Sequence, residues 1–289
     1  MTPHRRLAPY LFLAPFFIMF GVFWVWPILS SVYYSLTKWD GMSPPRFIGI
    51  GNYLALAESA DFTVAVWNTV FAWVVYEGAL VVLATSLALL LNSTLLRCRR
   101  LFQAAILAPI TVALAIVALI FQLIYDRDFG FLNQAGRALG GSWALDWLGD
   151  YRLALWAIII LRVWRATGYY TLMILAGLQS IPGELLEAAR IEGATERQTI
   201  LRVTLPLLRP ILGFVVVTSS IWALQLFEEP WILTSGGPSN STLTVVMYLY
   251  LTSFRFFKLG SGAAIAVVLT ILIFLLALAQ MRYFMRDEE

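Results

Sequence analysis

Apolar residues gather into long stretches along this chain, and charged residues are concentrated in the segments between them. Each stretch approaches or exceeds the roughly 20 residues that an α-helix needs to cross a bilayer. The pattern predicts an all-α fold, a polytopic membrane helical bundle with six transmembrane helices. The predicted spans are residues 8–31, 66–91, 102–125, 153–178, 207–229 and 262–284.

Both ends of the chain are predicted to face the cytoplasm. The first apolar stretch lacks a small-residue cleavage site after a short apolar core, so we expect a retained span and not a removed signal peptide. Six spans place both termini on one side, together with the basic cluster "RCRR" at 97–100. Short loops rich in arginine favour the cytoplasmic side. No linker or soluble domain is evident, so residues 1–289 are predicted to form a single transmembrane domain.

The composition narrows the possible functions. The chain is 60% hydrophobic and 13% charged, whereas soluble domains carry about 25% charged residues. His4 is its only histidine and Cys98 its only cysteine. A His/Cys metal site and a His-based catalytic centre are therefore excluded within this chain. The basic residues are dispersed, which disfavours nucleic-acid binding. We expect no catalytic residues, no metal site and no enzymatic activity.

A charged segment at residues 183–206 interrupts the apolar pattern between the fourth and fifth spans. Its sequence, "GELLEAARIEGATERQTILRVTLP", starts with helix-forming residues and places glutamates where they suit a helix N-terminus. Gly193 breaks the helical pattern, which predicts a turn or a close backbone approach. A helix lying on the membrane surface would favour Lys and Arg. Docking of a partner protein is therefore the favoured interpretation, and binding to the inner leaflet is the alternative.

The stretch "EAARIEGATERQTILRVTLPLLRP" at 187–210 resembles the EAA loop of permease subunits in binding-protein-dependent ABC importers. The matching positions are Glu187-Ala188-Ala189, Gly193-Ala194, Leu205-Pro206 and Pro210. Further stretches, among them "WPILSSVYYSLTKWDG", "AGLQSIPGELLEAA" and "TSGGPSNSTLTVVMYLYLTSF", are similar to carbohydrate importers of the maltose/glycerol-3-phosphate type. That family more often has Asp before the loop glycine, where this chain has Glu192, so the charge is kept.

This resemblance implies a transport subunit that passes a sugar or sugar derivative into the cytoplasm by alternating access. The charged segment would be a cytoplasmic coupling helix seated in a cleft of an ATP-binding subunit. Its expected contact residues are Glu187, Ala188, Ala189, Gly193, Ala194, Leu205 and Pro206. The implied assembly is a heterodimer with a second permease subunit, completed by two ATP-binding subunits and an extracytoplasmic solute-binding protein. It would lie in the lipid of a bacterial or archaeal inner membrane.

The chain itself is expected to bind no cofactor. It has no G-x-x-x-x-G-K-[ST] phosphate loop, and its only lysines are Lys38 and Lys258. ATP and Mg would therefore be used by the partner ATPase. The alternative function is an ion-coupled secondary transporter that acts without an ATPase. That mechanism needs a titratable carboxylate in the translocation core, and Glu77 in the second span is the candidate.

Polar and aromatic residues on two spans predict a solute pathway. Residues three, four or seven apart share a helix face, and charged residues within a membrane are costly and usually functional. The fourth span contributes Arg162, Arg165 and Tyr169, and the fifth contributes Thr218, Trp222, Gln225 and Glu229. The related importers place substrate contacts on the same two spans, which supports Arg162, Tyr169, Thr218, Trp222 and Gln225 as pathway residues. Two alternatives remain: Arg165 bonded to backbone carbonyls, and Thr218 bonded within its own helix.

The charge of the solute stays open at this level. Two arginines facing a cavity favour an anionic solute, such as a sugar phosphate or a uronate. The same arginines paired with Glu77 or Glu229 would leave a neutral cavity. We expect Glu77 to pair with an arginine of another span. For Glu228 and Glu229, near the outer interface, solvation is the favoured interpretation, and gate residues or arginine partners are the alternatives.

Overall fold

The computed structural model describes residues 3–93, 98–141 and 144–284. Helices dominate this part of the chain, which confirms the all-α prediction. The α-helices are α1 Pro3–Phe20, α2 Trp26–Ser35, α3 Gly51–Ala57, α4 Ala60–Asn92, α5 Arg99–Thr111, α6 Leu114–Ile124, α7 Phe131–Ala138, α8 Ala154–Ser180, α9 Gly183–Ile191, α10 Glu196–Thr199, α11 Leu205–Leu207, α12 Arg209–Leu224, α13 Glu228–Leu233, α14 Val245–Tyr250 and α15 Leu259–Phe284. Arg97 of the basic cluster lies outside the described residues.

Short irregular elements join these helices. Single π-helical turns occur at Gly21–Val25, Ile200–Thr204 and Leu251–Arg255. The strands β1 (Thr37–Lys38) and β2 (Arg46–Phe47) form a small antiparallel hairpin in which Thr37 pairs with Phe47.

Five helical segments of the described chain are long and apolar enough to cross a membrane. They are Phe12–Ser35, Ala60–Asn92, Ala154–Ser180, Arg209–Leu233 and Leu259–Phe284. Each contains most of one predicted span. These helices form because continuous apolar side chains suit a lipid environment, in which a helix satisfies all of its own backbone hydrogen bonds.

The predicted span 102–125 is not one straight helix. It consists of α5 and α6, which meet at an angle of 98°, and the count of spans reaches six only if this pair is taken as one. Val112 and Ala113 between them have extended ψ angles of 139° and 133°. Pro109 lies inside α5, where its missing N–H and its ring weaken the last turn. The expectation of an unbroken helix was therefore wrong.

The predicted fifth span is also interrupted, between Gln225 and Phe227. Pro230 has no N–H with which to bond the carbonyl of Leu226 in a continuous helix. That carbonyl instead accepts a hydrogen bond from the Thr244 hydroxyl at 2.6 Å. Glu229 therefore does not continue the helical face of Thr218 and Trp222, contrary to the spacing argument. The break therefore changes which side chains after Gln225 lie on the same face as those before it.

The described chain divides into two compact units. The first comprises residues up to Phe62 together with Tyr248–Ile271. Asn52 organises it: its side-chain amide donates to the carbonyls of Ser35 and Thr37, both at 2.8 Å. The carbonyl oxygen of the same side chain accepts from the Ser261 hydroxyl at 3.0 Å. One buried asparagine thus joins α2, the hairpin, α3 and α15 within this unit.

The second unit comprises Thr63–Met247 and the chain from Leu272 onward. Its core is formed by fully buried aliphatic side chains of α4, α8 and the α11–α12 region, among them Leu80, Ile158, Ile174, Leu208 and Val215. The helix pair α5 and α8 packs most closely at Gly168, where a Cβ atom would collide with the carbonyl group of Ile106.

Candidate solute cavity and coupling segment

A cavity of about 610 Å³ opens within the second unit, beside the break between α12 and α13. Its volume is in the range of small-molecule sites, about 300–1,000 Å³. Its walls come from α4, α5, α6, α8 and the broken fifth span. The lining residues are Tyr76, Ile110, Leu114, Arg162, Arg165, Ala166, Tyr169, Tyr170, Trp222, Gln225, Phe227, Glu228 and Glu229.

The sequence predicted six pathway residues besides Glu229, and the structure brings five of these six to this cavity. They are Arg162, Arg165, Tyr169, Trp222 and Gln225. Thr218 is not among the lining residues. Its hydroxyl donates to the carbonyls of Phe214 and Val215 in its own helix, at 2.7 and 3.1 Å. This is the alternative that the sequence had left open for Thr218.

Arg162 is held by three groups. Its Nη1 donates to the Glu229 carboxylate at 2.7 Å, and the side chains are 14% and 5% exposed. Its Nη2 donates to the carbonyl of Trp222 at 2.5 Å. The guanidinium also lies over the ring of Tyr76, 5.5 Å from its centre. Glu229 is therefore a buried ion-pair partner, and the expectation that it is solvated was wrong.

Arg165 has much weaker contacts. Its Nη2 reaches the carbonyl of Val112 at 3.5 Å, the upper limit for a hydrogen bond. Its Nε is buried and has no hydrogen-bond partner. A buried donor without a partner costs free energy, so the protein satisfies this guanidinium only in part. The expected carbonyl contact of Arg165 exists, but it leaves the Nε donor unpaired.

The aromatic side chains at the cavity differ in exposure. The Trp222 side chain is 67% exposed and that of Tyr169 is 44% exposed, whereas Tyr76 and Tyr170 are buried. Sequence reasoning missed Tyr76, Tyr170 and Phe227 as wall residues. Each is the neighbour of a residue that the sequence had indicated, Glu77, Tyr169 or Glu228, but only the packing of α4 and α8 and the helix break bring these rings to the cavity.

Glu77 lies outside the cavity lining and has different partners from those expected. Its carboxylate accepts hydrogen bonds from the hydroxyls of Ser219 at 2.6 Å and Ser220 at 3.3 Å. Ser220 also accepts from the Trp73 indole and from the Gln280 amide, each at 2.9 Å. The expected pairing with an arginine was wrong, because Arg162 is engaged by Glu229. Glu77 instead joins α4 to α12 through serine hydroxyls.

The charged segment folds into two short helices, α9 and α10, joined at Gly193. Gly193 has a φ of +85°, the left-handed region that glycine adopts readily. Its N–H donates to the carbonyl of Arg190, and the N–H of Ala194 donates to that of Ala189, both at 3.0 Å. These are the two hydrogen bonds of a Schellman motif. The turn at Gly193 thus ends α9, and the N–H groups of Gly193 and Ala194 each satisfy one of its last carbonyl groups.

A capping box starts α10 immediately after that turn. The Thr195 hydroxyl accepts from the N–H of Gln198 at 3.3 Å, and the Gln198 side chain accepts from the N–H of Thr195 at 2.8 Å. Such reciprocal bonds fix a helix N-terminus. Glu187, Ala188, Gly193 and Pro206 are exposed, while Ala189, Ala194 and Leu205 are partly buried. The turn between the helices is therefore built by local hydrogen bonds and leaves its outer surface open.

Comparison with known proteins identifies the chain. Residues 81–287 match the protein family described as "Binding-protein-dependent transport system inner membrane component". The chain belongs to this family. It is therefore a multi-pass membrane protein and a permease subunit, as the EAA-type loop implied, and the importer function is confirmed over the ion-coupled alternative.

Curated relatives of this permease carry the names of sugar transporters. It is 38% identical over 251 residues to the lactose transport system permease protein LacF of Rhizobium radiobacter, covering 86% of this chain and 83% of the relative. It is 34% identical over 282 residues to the arabinooligosaccharides transport system permease protein AraP of Bacillus subtilis, covering 96% and 88%.

The permease also shares its fold with a solved structure. The crystal structure of a bacterial alginate ABC transporter, in complex with an alginate pentasaccharide-bound periplasmic protein, contains a chain that matches with a TM-score of 0.86. The match covers 98% of this permease and 96% of that chain, at 21% sequence identity. At that identity the likeness shows the fold alone, a polytopic bundle of the ABC-importer type.

Proposed function

We propose that this permease is one half of a heterodimeric, ATP-driven importer that receives a saccharide from an extracytoplasmic binding protein. The saccharide passes into the cytoplasm by alternating access, through a pathway that includes the cavity beside the helix break. The names of the relatives support a sugar, since lactose and arabinooligosaccharide permeases match most of the chain. The observation that carries the proposal is the exposed Trp222 ring set among polar side chains in one cavity.

The chemistry of the cavity suits a saccharide. A sugar ring has an apolar face of C–H groups and a rim of hydroxyl groups. Trp222 and Tyr169 offer exposed aromatic surface for the face, and Gln225 offers both a donor and an acceptor for hydroxyls. Sites of this kind combine apolar walls with a few placed polar groups. We assign Arg162, Arg165, Tyr169, Trp222 and Gln225 to the solute pathway. Thr218 is bonded within its own helix and does not line the cavity.

ATP would be hydrolysed by two copies of a separate ATP-binding subunit, which would also bind the Mg²⁺. The coupling segment would seat in a cleft of that subunit and transmit its closure to α8 and α12. Leu185 and Ile191 of α9 are 45% and 87% exposed, and apolar side chains exposed beside Glu187 and Ala188 suit a protein partner. Leu205 and Pro206 lie where the segment leads into α12. This position supports a role in passing movement to the spans.

The first test is purification of this chain from its native membrane in mild detergent, with its partners identified by mass spectrometry. We expect an ATP-binding subunit and a second, different permease subunit. The complex would then be reconstituted in liposomes with the binding protein, and uptake of labelled saccharides would be measured with and without ATP. ATP-dependent uptake of a saccharide supports the proposal. A chain that is recovered alone under every mild condition, or uptake that needs no ATP, contradicts it.

A further inference from the structure

The charged side chains at the cavity are balanced in number. Among the residues that the structure describes, the charged residues of the lining are Arg162, Arg165, Glu228 and Glu229. Arg162 and Glu229 neutralise one another at 2.7 Å. Arg165 therefore shares the open cavity with the exposed carboxylate of Glu228. An anionic solute would find one available cation and one carboxylate that repels it.

Arg162 lines the cavity, but its guanidinium is engaged by groups of the protein itself. Trp222 lies in the last turn of α12, and its carbonyl accepts a hydrogen bond from the N–H of Gln225 at 3.2 Å. Arg162 donates a second hydrogen bond to the same carbonyl and also holds Glu229, at the start of α13. One guanidinium thus braces both sides of the helix break. The same break places Trp222 and Gln225 at the cavity, so Arg162 acts on the solute site through these residues.

We infer that the cavity is built for an uncharged saccharide, with Arg162 as a positioning residue whose positive charge is balanced by Glu229. This inference rests on the proposed function and names its substrate class. The remaining polar groups agree with it: Arg165 supplies donors, Glu228 supplies acceptors and Gln225 supplies both. A sugar hydroxyl both donates and accepts hydrogen bonds, so it binds to donors and acceptors of the protein. An ionised carboxylate or phosphate only accepts, so it binds to donors of the protein alone. The names of the relatives leave the charge open, because lactose is neutral and alginate is an acidic polysaccharide.

The charge of the cavity is measured with a cysteine probe. Cys98 is exposed and is the only cysteine of this chain, so Cys98→Ser with Gln225→Cys leaves one thiol at the cavity. In the assembled complex, an anionic and a cationic methanethiosulfonate reagent of similar size would be compared. The labelling rates, read by intact mass of this chain, are divided by the rates for a free thiol. We expect similar corrected rates for the two reagents.

Glu229→Gln in the probe background should then favour the anionic reagent over the cationic one by about tenfold or more, because Arg162 at the same cavity would carry an uncompensated charge. Adding Arg162→Gln to that variant should return the ratio to its starting value. A role in folding alone would not move this ratio in opposite directions. Two results would overturn the inference. One is a corrected ratio of labelling rates that already favours the anionic reagent tenfold without Glu229→Gln. The other is a ratio that does not change when Glu229→Gln is introduced.

Uptake decides the substrate class. Proteoliposomes with the complete complex and its binding protein would be offered neutral gluco-, galacto- and arabino-oligosaccharides, together with oligogalacturonates of matched length. Uptake of neutral saccharides only is the expected result. Uptake of the uronates in preference would overturn this inference and leave the saccharide importer standing. ATP-driven uptake of no saccharide, with some other solute carried, would overturn the proposed function itself.

Discussion

Gly168 of α8 lies directly against the carbonyl group of Ile106 in α5, so closely that the two backbones touch. A Cβ at position 168 would have to displace backbone atoms, which do not give way as the end of a side chain does. We expect Gly168→Ala to destabilise the permease by about 1–3 kcal/mol, the usual cost of overpacking a closely packed site. The measurement is the thermal unfolding of the purified complex in detergent.

Gly78→Ala is the matched control for this substitution. Gly78 also lies inside a long apolar helix, α4, but nothing lies within 4 Å of an added Cβ. Alanine is the better helix former by up to about 1 kcal/mol, so this variant should be neutral or slightly stabilised. Equal melting temperatures for the two variants would contradict the close contact at Gly168.

Trp222 tests the solute pathway. Trp222→Ala removes the exposed ring at the cavity, and we expect it to lower saccharide-stimulated ATP hydrolysis by about tenfold, since stacking of this kind is worth roughly 1–1.5 kcal/mol. Basal hydrolysis should stay near its normal rate. Trp67→Ala is the control, because Trp67 is 69% exposed but does not line the cavity. If both variants, or both activities of Trp222→Ala, fall together, Trp222 has no special role toward the solute.

Gly193 tests the coupling segment. An added Cβ would meet nothing within 4 Å, so the cost of Gly193→Ala is the positive φ of +85°, about 1 kcal/mol. Gly193→Phe adds the same strain and a large ring on the outer surface. We expect it to uncouple or dissociate the ATP-binding subunit while membrane insertion is unchanged. The measurements are subunit recovery on affinity purification and ATP-driven uptake.

Gly140 supplies the control for that experiment. Its φ is +86° and its added Cβ would likewise meet nothing, but it lies outside the coupling segment. Gly140→Phe should therefore keep the ATP-binding subunit in the complex. Normal uptake by Gly193→Phe would remove the main support for the coupling role.

Glu77 separates a structural role from ion coupling. Its carboxylate accepts from Ser219 and Ser220, and Glu77→Ala would leave those hydroxyls without this acceptor. We expect a loss of stability of about 1–3 kcal/mol, measured by thermal unfolding. ATP-driven uptake by the remaining folded complex should be insensitive to a protonophore, in the variant as in the unmodified protein. Uptake that stops when the proton gradient is dissipated would restore Glu77 as a coupling residue.

The amino-acid sequence by itself determined where the long helices lie. Predicted spans at 66–91, 153–178 and 262–284 fall inside α4, α8 and α15 or extend past them by one residue at most. A continuous apolar stretch specifies a membrane-crossing helix without help from distant residues. The turn at Gly193 was predictable for the same reason, because it is specified by one glycine and by hydrogen bonds to residues a few positions away.

Only the tertiary structure decided the partners of the buried charges. From the sequence, either Glu77 or Glu229 could pair with the same arginines. The packing of α8 against α13 brings Glu229, and not Glu77, to Arg162. The break in the fifth span depends on Thr244, because the hydroxyl of this residue, 18 positions further along the chain, donates a hydrogen bond to the carbonyl of Leu226. Such choices depend on distances between helices, and the order of residues along the chain does not contain those distances. The neutral character of the cavity is therefore a property of the fold.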